Sequence, residues 1–108
     1  MANSLDDGAR QAVVDMCRQH MAADVRDLIA SVKLLEARRD EGELPDDLSR
    51  KRFRDARQHL FEAARLAMAN GLSRLEVHTT ITAAARREAM TEAVRLALYE
   101  VIEEIGLD

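Results

Sequence analysis

Cys17 and His20 stand three residues apart, and His59 and His78 lie farther along the chain. Thiolates and imidazoles are ligands that zinc takes, and a Cys-x-x-His pair plus two more histidines would fill a tetrahedron. Two such residues on one helix recur by chance. The simpler expectation is a buried thiol with part-exposed histidines, and no metal or cofactor is assigned. Glu88, Glu92 and Glu100 have the spacing of helix surface charges. They lack the inward-facing Glu-x-x-His repeats that hold a metal pair between helices. There is no glycine-rich phosphate loop, no Gly-x-Ser-x-Gly and no His-Glu-x-x-His. The expectation is a protein without catalytic activity.

A different chemistry is offered by cations. Residues 49–87 carry nine basic and three acidic groups, a net of +6, between flanks that each carry −5. Arg50, Lys51, Arg52, Arg54 and Arg57 are clustered, and on a helix Arg50, Arg54 and Arg57 line one side. They suit phosphates or an acidic protein surface. The acidic ends of a second copy of this chain are one such surface. No aromatic interleaving offers bases a stacking platform, which favours protein over DNA.

The elements that must position these residues are helical. Only 3% of the 108 residues are aromatic, there is one proline, and hydrophobic residues reach 47%. Alanine, leucine, arginine and glutamate, all good helix formers, dominate. One cysteine rules out an intrachain disulfide and suits a reducing compartment. No apolar run nears the roughly 20 residues of a membrane span, and the first residues lack a signal peptide's basic and apolar regions. The expectation is a cytoplasmic protein with one all-helical domain over residues 1–108, and no membrane partner.

Val14, Cys17, Met21, Val25, Leu28, Val32 and Leu35 recur at spacings of three and four. They predict one long helix over about 5–39, capped by Ser4 or Asp6, with a kink at Ala22-Ala23 as an option. Gly42 ends it, and Pro45 with Asp46 and Asp47 opens a second helix over about 48–70. Its stripe is Phe53, Ala56, Leu60, Ala64, Ala67 and Met68.

The joint that follows is the clearest local signal. Gly71 supplies the left-handed residue that closes a helix. Ser73 and Glu76 have capping-box spacing, with Leu72 and Val77 placed as a hydrophobic staple. Ala67, Gly71 and Val77 have the spacing of DNA-binding helix-turn-helix units, where Arg74 would open the recognition helix. The second helix is too long for that motif, and Thr80 stands where an apolar residue belongs. A plain helical hairpin fits better.

Beyond Ser73, Val77, Ile81 and Ala84 share one face while Met90, Val94, Ala97, Leu98, Val101 and Ile105 share another. The two are about half a turn out of phase, so the helix either breaks between 79 and 91 or buries two faces. Thr82 or Thr91 can cap a restart. Val94, Leu98, Val101 and Ile105 have the seam spacing of a helix that packs against another chain.

The fold expected is all-α, a three- to four-helix bundle with a long N-terminal helix and a tight helix-turn-helix joint at 70–74, oligomeric through its first and last helices. The function expected is a small regulatory or adaptor protein acting through protein–protein contacts as a homo-oligomer. The alternative is a dimeric helix-turn-helix DNA-binding regulator using residues 49–87.

Overall fold

The computed structural model describes residues 3–44, 46–88 and 90–106, with side chains from residue 7 onward. Among them are four helices: α1 (Asn3–Asp40), α2 (Asp47–Ala69), α3 (Arg74–Arg86) and α4 (Glu92–Ile105). There is no strand among the described residues. None of the helices is long and apolar enough to cross a membrane.

α1 runs as one helix across Ala22-Ala23, without a break into a second piece there. It already runs at Asn3, which leaves Ser4 and Asp6 inside the helix rather than at its cap. Its 38 residues make a rod of roughly 57 Å. α1 ends on Gly42, whose N–H bonds to the Arg39 carbonyl at 2.9 Å while the Glu43 N–H reaches Arg38 at 2.9 Å. That paired return to the last turn closes a helix when the glycine takes positive φ, here 79°. Pro45, read from sequence as part of the next start, lies outside the described residues. α2 opens on Asp46, whose carboxylate accepts the Ser49 N–H at 2.7 Å.

The α2–α3 joint is built as its residues dictate. Gly71 has φ 103°. The Gly71 N–H bonds to Met68 and the Leu72 N–H to Ala67, each at 3.1 Å. The Glu76 N–H donates to the Ser73 hydroxyl at 3.1 Å, and the Ser73 N–H to the Glu76 carboxylate at 3.3 Å. Leu72 and Val77 are buried, as a staple requires. The out-of-phase stripes resolve as a break. α3 ends at Arg86, and α4 restarts on Thr91, whose hydroxyl accepts the Val94 N–H at 3.3 Å.

One buried cluster draws on all four helices: Met21, Val25, Leu28 and Ile29 of α1, Leu60 and Ala64 of α2, Val77 and Ile81 of α3, and Val94 and Val101 of α4. α1 packs along α2 and α3, and α4 closes against α2 and α1. Cross-links fix the directions. Arg18 meets Glu76 at 3.2 Å, the Thr91 hydroxyl donates to Glu36 at 2.6 Å, and Arg57 meets Glu104 at 3.2 Å. Each helix therefore reverses its predecessor.

The N-terminal turns of α1 project past this core. Asp7 to Val13 are exposed, Met16 is 55% exposed, and burial begins at Cys17. The molecule measures 64 × 24 × 22 Å.

Candidate interaction surface

The seam on α4 is occupied within one chain. Val94 and Val101 are fully buried, Leu98 is 5% exposed, and Ile105 packs on the same cluster. The expectation that these four residues offer an oligomer surface is corrected on that ground. The same four-three-four spacing serves a contact with α1 and α2 of the same chain.

The basic run is divided by its neighbours. Arg57 faces α4, with Nη2 3.2 Å from Glu104 and Nη1 3.7 Å from Glu100. Lys51 is tied along its own helix to Asp55 at 2.9 Å, which holds the Asp55 carboxyl below its ordinary range. Arg50, Arg52 and Arg54 are exposed and make no ion pair among the described residues. Arg74 opens α3, at the far end of α2 from them. The 15 residues from Arg54 to the end of α2 at Ala69 separate the two by about 22 Å along the helix. The structure thus gathers the α2 cations but leaves Arg74 apart. Phe61 lies on the same flank of α2, with the Arg65 guanidinium 5.4 Å above its ring. From sequence Phe61 falls on the edge of the apolar stripe of this helix, and its spacing from Arg54 and Arg57 also sets it beside the arginines.

Cys17 and the three histidines do not form one metal-holding cluster among the described residues. Cys17 is buried, His20 and His59 are exposed and His78 is half-buried. Among the described residues no group of three or more histidine, cysteine, aspartate or glutamate side chains is placed to hold a metal. His20 and His59 instead flank Asp24 between α1 and α2. Burial pushes the Asp24 carboxyl above its ordinary value of 3.8, against the pull of His59.

What sequence spacing does not reveal is a groove. The last turns of α1, the loop after it, the start of α2 and the outer face of α4 enclose about 470 Å³. Its floor and walls are Val32, Leu35, Phe53, Ala93 and Ala97, with Leu44 and Leu96 at the mouth. Leu44 is 86% exposed and Leu96 54%. Glu36, Glu43 and Glu100 rim it, with Arg39 the one cation among them. A second cavity of about 380 Å³ adjoins it, sharing Leu35 and Phe53, and is bounded by Asp47, Arg50 and Arg54. The two form one trough: an acidic bank on the α4 side, a basic bank on α2, and apolar side chains between. No signal within any one segment could show this, because the trough is assembled from three stretches, the end of α1 with its loop, the start of α2 and the face of α4.

Compared with protein families, with curated proteins and with solved structures, the chain matches none of them.

Proposed function

We propose that this protein is a small non-enzymatic adaptor or regulator that acts through protein–protein contacts as a homo-oligomer. The observation that carries this reading is the trough. Leu44 and Leu96 expose large apolar surface beside Leu35 and Phe53, within a rim of charges. Contiguous apolar surface ringed by polar groups is what a protein partner covers, whereas single exposed leucines are ordinary. The lone buried thiol of Cys17 fits work in the reducing cytoplasm. Light scattering over a range of concentrations tests the oligomer: the weight-average mass is expected to rise above the 12.1 kDa of one chain.

DNA binding is the second reading, favoured by the capped joint at 70–74 with exposed Arg74 at the head of α3. It ranks lower because α2, at 23 residues, is longer than the supporting helix of that motif, and Arg50 and Arg54 stand at the opposite end of α2 from Arg74 rather than beside it. Titration of a labelled mixed-sequence duplex at low salt separates the readings. Binding that weakens steeply with salt and is lost in Arg50→Glu with Arg54→Glu would transfer the function to DNA.

A further inference from the structure

We infer that the trough between α2 and α4 is the contact surface of a symmetric dimer, and that its occupant is the same trough of a second copy of this chain. The inference rests on the homo-oligomer reading and adds where the copies meet and in what arrangement.

In a two-fold interface the same patch faces itself, so a group on one side of the axis meets the group on the opposite side of the partner. A patch with one sign of charge throughout would repel its copy. This patch is bipolar. Arg50 and Arg54 stand on the α2 bank, Glu36 and Glu100 on the α4 bank, and Leu35 and Phe53 are shared by both halves. A two-fold axis through the shared pair sets the basic bank of each copy against the acidic bank of the other, twice. Leu44 and Leu96, which line only the first cavity, then leave water on the acidic side of the axis, against the partner's α2 bank. Arg50 and Arg54 make no ion pair among the described residues, while on the acidic bank Glu100 and Glu43 lie 3.7 and 3.6 Å from Arg57 and Arg38 of their own chain and Glu36 accepts the Thr91 hydroxyl, so the partner's cations would join exposed pairs there. The projecting end of α1 is a poorer occupant. It carries Asp7 and Asp15 against Arg10, so it has no net attraction for the acidic bank, and its insertion is head-to-tail and builds open chains rather than a closed pair.

The experiment is sedimentation equilibrium of the full chain and of exposed-site variants, with circular dichroism confirming that each stays helical. Leu96→Glu is expected to weaken dimerisation by more than about tenfold, because it replaces apolar surface that the contact buries with a carboxylate that must be desolvated. Reversing one bank, by Arg50→Glu with Arg54→Glu or by Glu43→Arg with Glu100→Arg, is expected to weaken it about tenfold. Reversing both banks together in one chain is expected to restore it to within about threefold, because each bank again meets its opposite. Leu75→Glu, at the far end of the molecule, is expected to change nothing. A dimer that ignores Leu96→Glu and both single reversals overturns this surface while leaving self-association standing. Single reversals that weaken without rescue by the double reversal overturn the two-fold arrangement. A wild-type chain that stays monomeric at all concentrations overturns both this inference and the homo-oligomer reading.

Discussion

Gly71 sits at φ 103°, and a Cβ built there meets no atom within 4 Å. The cost of replacing it is therefore in the backbone and not in a clash. Gly71→Val is expected to lower stability by about 1–2 kcal/mol and Gly71→Asn by less, since asparagine tolerates the left-handed region. Ser73→Ala removes the acceptor for the Glu76 N–H and is expected to cost about 1 kcal/mol. Urea midpoints measure all three, and unchanged midpoints would contradict the joint as described. The caps also set the response to acid. Asp46 is held below its ordinary value of 3.8 by the Ser49 N–H, and Glu76 below 4.5 by the Ser73 N–H, with Arg18 adding to the pull. A carboxyl whose folded value is depressed stabilises the fold above its unfolded value and loses that contribution as pH falls through the folded one. Stability is thus expected to fall as pH drops below the ordinary values of these two groups. Asp24 works in the other direction: its raised value makes protonation easier in the folded state, so acidification favours the fold there. Asp46→Asn keeps an acceptor at the cap but cannot titrate. Its stability is expected to decline less on acidification than wild type, as read from urea midpoints between neutral pH and about pH 2.

α4 shows how far an element can be read from its own sequence. The stripe through Val94, Leu98 and Val101 names a face to be buried, and the structure buries it. Periodicity carries no mark of whether the covering helix belongs to the same chain, so the assignment to an oligomer surface did not survive. Leu98→Asp with Val101→Asp is accordingly expected to unfold the chain rather than release a folded monomer, since two carboxylates would enter a site without partners. Loss of the helical dichroism checks it. α1 reads differently along its length. Its periodic stripe from Cys17 to Val32 is core, whereas Asp7 to Val13 are exposed. Isolated turns of helix are marginal in water. Amide exchange is expected to be fast over residues 7–13 and slow over residues 21–32, where the core holds the backbone. The joints at Gly42 and Gly71 were legible because caps are written in adjacent residues. Whether the last region broke or turned its face was left open, and the break falls just before Thr91.

At the scale of the molecule, the segment charges of −5, +6 and −5 describe a chain whose middle attracts its ends. Part of that attraction is spent inside one copy, where Arg57 meets Glu100 and Glu104. The part carried by Arg50 and Arg54 is available to a partner. Sequence shows the sum but not the split, because it depends on which flank of α2 lies under α4. The projecting start of α1 has a hydrodynamic consequence. A globular domain of this length has a radius of gyration near 13 Å, and this one has 15.9 Å. A single copy therefore drags on the solvent like a heavier sphere. At dilutions where the copies are apart, on a gel-filtration column calibrated with globular standards, it is expected to elute early enough to be taken for a pair, while static scattering at the same dilution, which weighs mass without regard to shape, returns one chain. Removing residues 1–12 is expected to shift that elution by more than the lost mass accounts for.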